Sequence, residues 1–239
     1  MMTGWDGYIG SHLKPYLENK GFDIVPFIGP IRDFSFYAGI PDMVIHLAAL
    51  TGVRKSIISP EQYGEVNVWG FRKVAHICAF LDTPLLFASS SNAKEVTNPY
   101  AQTKLMNEQE RPPNSVGFRP HTVYPGRPDM LYQRLLKDEV KYINAKHYRD
   151  FTHIEDLCSA IHTIIKHYNT LVGSVVDIGS GESVSVLKVA ESMGFVGEVR
   201  YDDTPSERET TCADINTLVN LGWKPERQIL HRPERYYKG

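Results

Sequence analysis

The sequence predicts an α/β chain with a parallel sheet covered by helices on both faces. Three observations predict it. A glycine turn, Thr3-Gly4-Trp5-Asp6-Gly7-Tyr8-Ile9-Gly10, opens the chain and runs into a helical stretch. Apolar runs of strand length then alternate with helical stretches. A tyrosine and a lysine, Tyr100 and Lys104, stand one helical turn apart behind the serine run Ser89-Ser90-Ser91.

The elements follow in order. Only Met1 and Met2 precede Thr3, whereas a strand usually runs about 5 residues. The first strand is therefore either very short or preceded by residues outside this sequence. Gly4, Gly7 and Gly10 have the spacing G-x-x-G-x-x-G. Such glycines let a backbone approach a pyrophosphate, and the helix predicted from Ser11 to Lys20, ended by Gly21, would aim its N–H groups at it. An ordinary glycine-rich turn is the other reading of the same residues. Strands are predicted over 23–28, 42–49, 84–89, from Val116, and over 174–178. Helices are predicted over 61–81, 100–110 (stopped by Pro112-Pro113), 155–168 and 185–193. Residues 1–121 form the core of this reading. Residues 122–239, richer in loops and charge, form a small C-terminal lobe with some segments returning to the core.

Composition narrows the function. A net charge of −2 gives no bulk attraction to nucleic acid or to an anionic membrane. No apolar run approaches the ~20 residues of a membrane span, and no signal peptide is visible. Cys78, Cys158 and Cys212 are scattered and odd in number, which points to a reducing, cytoplasmic compartment. The histidines show no H-x-x-x-H spacing and the cysteines no C-x-x-C, so no metal is expected.

More ordered motifs join the first two. They are His46-Leu47-Ala48-Ala49, Asn67 within Asn67-Val68-Trp69-Gly70, Arg149-Asp150-Phe151-Thr152-His153, Asp177-Ile178-Gly179-Ser180-Gly181 and Leu221-Gly222-Trp223-Lys224-Pro225. With them the chain resembles the extended short-chain dehydrogenases/reductases of the nucleotide-sugar epimerase/dehydratase group, along nearly its whole length. Two segments resemble the UDP-glucuronate 4-epimerases in particular. One is His46 to Ser56 with Pro60, Tyr63 and Asn67; the other is Thr122-Val123-Tyr124-Pro125-Gly126-Arg127-Pro128-Asp129-Met130, two residues shorter than the pattern.

The resemblance implies a Rossmann-type fold and a nicotinamide cofactor. NAD is favoured, while Arg32 leaves NADP open, because Ile28 stands where an acidic residue would hold the adenine ribose. Gly4, Gly7, Tyr8, Ile9, Gly10, Arg32, Leu47, Ala48, Ala49, Tyr100 and Lys104 would bind the cofactor. Tyr100 would act as general base, its pKa lowered by the lysine and nicotinamide charges. Lys104 would also hold the nicotinamide ribose, and Ser90 the reacting oxygen, with Ser89 and Ser91 as alternatives. Asn67 would position water and Lys104. Arg149 and Arg208 would grip the diphosphate of a UDP-linked sugar, and Ser91, Thr122 and Arg127 its glucuronate end. Relatives pair through two helices, so a homodimer is implied. The expected activity is 4-epimerisation by transient oxidation at C4. A 4-keto-sugar reductase and a non-catalytic dinucleotide-binding module are the alternatives. A dehydratase is disfavoured, because Ser91-Asn92 stand where an Asp-Glu pair would follow the catalytic hydroxyl. The missing second helix and third strand and the short 90–100 loop mark a compact member.

Overall fold

A computed structural model describes residues 1–37 and 39–230. Five parallel strands form the central sheet, in the spatial order Met2–Thr3, Val44–His46, Leu85–Ala88, Ser115–Pro120, Val175–Ile178. Neighbouring residues along each strand point to opposite faces, and both faces are apolar. Met2, Ile45, Leu86, Val116, Phe118 and Val176 pack with Leu13 and Leu17 of the helix Tyr8–Asn19 and with Leu157, Ile161 and Ile164 of the helix Ile154–Lys166. Val44, Leu85 and Phe87 pack on the other face with Phe71, Val74 and Cys78 of the helix Gly70–Phe80. Each such fully buried side chain contributes about 1.5–3 kcal/mol by leaving water. The sheet is thus covered on both faces, as the near-continuous apolar runs predict.

The expected strand 23–28 is reduced to one bridge, Met2 to Pro26. Met2 N–H donates to Val25 O at 2.9 Å and Phe27 N–H to Met2 O at 2.8 Å. Pro26 has no N–H to extend the ladder. Even so, the chain passes from Thr3 to one side at Pro26 and then to the other side at Val44. That reversal opens a crevice at the carboxyl ends of the first strands, where such sheets bind ligands.

Other boundaries also shift. The first helix starts at Tyr8, so Gly10 lies inside it. The predicted helix 61–81 divides into Pro60–Tyr63, a π-helical turn Gly64–Trp69 and Gly70–Phe80, with a separate helix Val53–Ile58 ahead. The run 42–49 keeps only Val44–His46 as strand. Beyond Pro120, three two-stranded pairings build a lobe. Its own core joins Tyr124, Leu135, Ile143, Phe151 and Val189. Ile154–Lys166 and Val175–Ile178 return to the central sheet. Residues 231–239 of the expected lobe lie outside the described residues. Among the described residues no helix is long and apolar enough to cross a membrane.

Candidate active site

The glycine turn is built by backbone contact. Gly4 has φ +64°, and a Cβ there would lie 2.6 Å from Ala48 N. A Cβ on Gly10 would lie 2.2 Å from Gly4 O and 2.6 Å from Trp5 Cα. These two glycines let the turn, the first helix and the Leu47-Ala48 backbone close on one another. Gly7 differs: its Cβ would meet only Gly4 O, at 3.3 Å. It is the N-cap residue of the helix, which has no side-chain cap hydrogen bond. Gly4, Gly7, Tyr8, Ile9, Gly10, Leu47 and Ala49 line one cleft with Ser90, Ser91, Tyr100, Lys104, Thr122 and Arg127. Ala48 supports the turn from behind. Arg32 is exposed and lines neither this cleft nor its neighbour, so the structure does not bring it to the other predicted cofactor residues.

Tyr100 and Lys104 project from the helix Pro99–Gln109. Asn98 caps it by accepting from Ala101 N–H at 2.8 Å, and Pro99 takes the first turn. Ser56 Oγ accepts the Tyr100 N–H at 3.1 Å. The Tyr63 ring meets the Tyr100 ring edge-on, with centroids 6.3 Å apart. Lys104 Nζ donates to Ala88 O at 2.8 Å. Burial pulls this ammonium down to about 8, opposed by Glu108. Lys104 alone does not lower the Tyr100 pKa as expected. Burial pushes the phenol above the usual tyrosine range, the hydrogen bond from Ser90 and the charge of Arg127 pull the other way, and Tyr63 adds to the rise. Lys104 is turned to the Ala88 carbonyl, and burial outweighs the charges.

The three serines separate. Ser89 Oγ donates to the Glu108 carboxylate, whereas Ser90 faces the Tyr100 phenol. Ser91 lines the cleft, and its carbonyl accepts Arg208 Nη1 at 3.1 Å. Asn67 lies in the π-helical turn, a distortion frequent at functional sites. Its amide accepts Leu50 N–H at 2.7 Å and donates to Leu50 O at 3.0 Å and Thr103 Oγ1 at 3.1 Å. Tyr63 OH donates to the Thr51 and Gly52 carbonyls at 2.8 and 3.0 Å. Ser56, Tyr63 and Asn67 therefore hold the loop after Val44–His46 against the helix Pro99–Gln109.

A second cleft adjoins the first and shares Thr122 and Arg127 with it. Arg149 lines this second cleft; it donates to Tyr148 O at 2.9 Å and Glu209 O at 2.8 Å and lies 3.8 Å from Glu207. Arg208 pairs with Glu95 at 3.1 Å and lines neither cleft. Arg127 pairs with Asp129 at 3.0 Å. Sequence reasoning missed a buried ionic cluster behind the serines. Arg119 forks onto Glu108 at 2.8 and 2.6 Å, and Asp177 faces Arg119 and His121, each at 3.5 Å, and Lys94. Burial pulls the Asp177 carboxyl upward, but hydrogen bonds from His121, Lys94 and Asp214 N–H leave it well below the carboxylate range. The repeat Tyr100, Lys104, Glu108 at every fourth helical position was the readable trace of this cluster. Among the described residues no group of His, Cys, Asp and Glu could hold a metal ion.

A model of the NAD dependent epimerase/dehydratase family matches residues 1–179. The chain belongs to that family. Among curated members, the protein CapI of Staphylococcus aureus is 27% identical, covering 96% of this chain and 94% of its own. UDP-glucuronate 4-epimerase 4 of Arabidopsis thaliana is 26% identical, covering 96% and 72%. The alignment with CapI runs over 315 positions against the 239 residues here, so CapI carries segments that this chain lacks. Among solved structures, MoeE5 in complex with UDP-glucuronic acid and NAD superposes with TM-score 0.83 at 25% identity, covering 96% of this chain and 94% of MoeE5. A UDP-glucuronic acid 4-epimerase of Bacillus cereus gives TM-score 0.82 at 24% identity, covering 96% and 94%. The family and the five-stranded parallel sheet agree with the resemblance read from the motifs.

Proposed function

We propose that this protein is an NAD-dependent nucleotide-sugar 4-epimerase that interconverts UDP-glucuronate and UDP-galacturonate. The observation that carries the reading is the convergence of Ser90, Tyr100 and Lys104 on the wall of a cleft that begins at the glycine turn. The residues fit a dinucleotide. Gly7 lines the cleft at the N-cap of the helix Tyr8–Asn19, and the positive end of that helix favours a pyrophosphate there. Bound NAD supplies the acceptor, and then the donor, of a hydride at the sugar C4.

The chain's own residues do the rest. Burial alone keeps the Tyr100 phenol protonated, so the positive charges of Lys104 and of the bound nicotinamide would have to favour its phenolate. In that form Tyr100 takes the proton of the O4 hydroxyl while C4 becomes a carbonyl, and returns it to O4 when C4 is reduced from the opposite face. Ser90 holds the oxygen by a hydrogen bond. Lys104 places a cation beside the phenol. Arg149 and Arg208 anchor the diphosphate, exchanging their present partners for phosphate oxygens. Thr122, Ser91 and Arg127 receive the sugar carboxylate where the two clefts meet. The diphosphate then stays fixed while the sugar alone turns over. The similarity to UDP-glucuronate 4-epimerases supports this choice of substrate.

Chromatography of the sugar products tests the reading. The parent protein with NAD and UDP-glucuronate yields UDP-galacturonate without a steady change in NADH absorbance. Stoichiometric consumption of NADH or NADPH with a 4-keto sugar makes it a reductase instead. No turnover of any nucleotide sugar despite tight NAD binding makes it a binding module.

A further inference from the structure

Tyr100, Lys104 and Glu108 occupy every fourth position of the helix Pro99–Gln109, and all three are buried. Glu108 does not line either cleft. A carboxylate there is stable only if its charge and lone pairs are met. They are met on both oxygens: Oε1 accepts Arg119 Nε at 2.8 Å and the Ser89 hydroxyl, and Oε2 accepts Arg119 Nη2 at 2.6 Å.

Two consequences follow from this placement. Ser89 is held from two sides, by Glu108 and through its N–H to Phe118 O at 2.7 Å. The residue that follows, Ser90, is thereby fixed toward the Tyr100 phenol. The second consequence concerns Lys104. The titratable groups that interact with it are Glu108 on its own helix and His46 on the strand Val44–His46; Ala88 O, on the next strand, accepts its hydrogen bond. Burial, with Lys104 adding to the effect, holds His46 neutral down to about 3. Glu108 is the anion of this set.

We propose that Glu108 is a positioning residue: it locks the Ser89-Ser90 turn onto the catalytic helix and keeps an anion beside Lys104, so that the buried ammonium stays charged. The proposal rests on Tyr100 and Lys104 forming the reacting pair. It adds that the pair works only with the third residue of the same helical face.

The test is an NMR titration of protein labelled at the lysine ε-carbons, with the Lys104 signal assigned from Lys104→Arg. The parent midpoint is expected near about 8. Glu108→Gln removes the anion and leaves Arg119 unbalanced, so the midpoint falls by about one unit or more. Glu108→Asp keeps the charge and restores most of it. Ser89→Ala leaves the midpoint in place and lowers kcat about tenfold or more, with KM unchanged, because Ser90 is no longer fixed. An unmoved midpoint in Glu108→Gln, or an unmoved kcat in Ser89→Ala, overturns the proposal. If Glu108→Gln does not fold, Ser89→Ala decides: a parental kcat in that variant refutes the proposal. A parent without turnover refutes the catalytic reading, while the midpoints still judge the action of Glu108 on Lys104.

Discussion

Gly10→Ala should damage both the fold and the cofactor site. The added methyl would lie 2.2 Å from Gly4 O and 2.6 Å from Trp5 Cα. Ordinary contact is about 3.5–4.0 Å, so the helix Tyr8–Asn19 must retreat from the turn by about 1 Å. The atoms met are backbone and cannot rotate away. Overpacking of this kind costs about 1–3 kcal/mol. At about 2 kcal/mol the melting temperature of a chain this size falls roughly 4–8 °C. The retreat also widens the turn, so NAD affinity drops about tenfold or more. Gly7→Ala is the control. Its methyl meets only Gly4 O at 3.3 Å, and φ is −72°, so stability changes by less than about 1 kcal/mol. Yet the methyl stands in the cleft, and NAD binding weakens as much. Scanning calorimetry and titration calorimetry on both variants measure this. A Gly10→Ala protein with parental melting temperature and parental NAD affinity would refute the reasoning.

Tyr100→Phe keeps the ring and removes the proton acceptor, so turnover falls about 10²–10⁴-fold while titration calorimetry finds NAD bound as before. Arg149→Met raises KM for UDP-glucuronate about tenfold or more in steady-state kinetics and leaves NAD affinity unchanged. Asp177→Asn strips the shared partner from Lys94, Arg119 and His121 and lowers stability by about 3–5 kcal/mol, read as a lower urea midpoint. Lys104 titrates in the fold at about 8, below its ordinary 10.5, so between these values the unfolded chain binds the extra proton. Stability due to this residue therefore grows as pH rises through that window. Urea unfolding of parent and Lys104→Met should show the parent gaining on the variant from pH 8 to pH 10.

Local signals carried much of this fold. The helix expected over 100–110 and stopped by Pro112-Pro113 runs from Pro99 to Gln109. The run 84–89 shows both as the strand Leu85–Ala88 and as the serine turn that follows it. The glycine spacing identified the turn, though not that Gly4 and Gly10 are held by close backbone contacts while Gly7 meets only Gly4 O. What stayed hidden depends on partners far along the chain. Arg119 and Asp177 meet Glu108 and Lys94 only because Ser115–Pro120 and Val175–Ile178 are neighbouring strands. The burial that raises the Tyr100 phenol, with the Tyr63 ring edge-on to it, is revealed by no local spacing. Arg32 lies in the 3₁₀ turn Ile31–Asp33 and is exposed, a placement its nearness in sequence to Ile28 does not specify.

The central claim is that a hydrogen leaves C4 and returns to the same carbon. The most direct measurement uses UDP-glucuronate deuterated at C4, with NAD, and mass spectrometry of the separated products. The account predicts UDP-galacturonate that keeps its deuterium at C4, with no net NADH formed. Product that has lost the label to solvent, or an oxidised sugar accumulating with an equal amount of deuterated NADH, would contradict it.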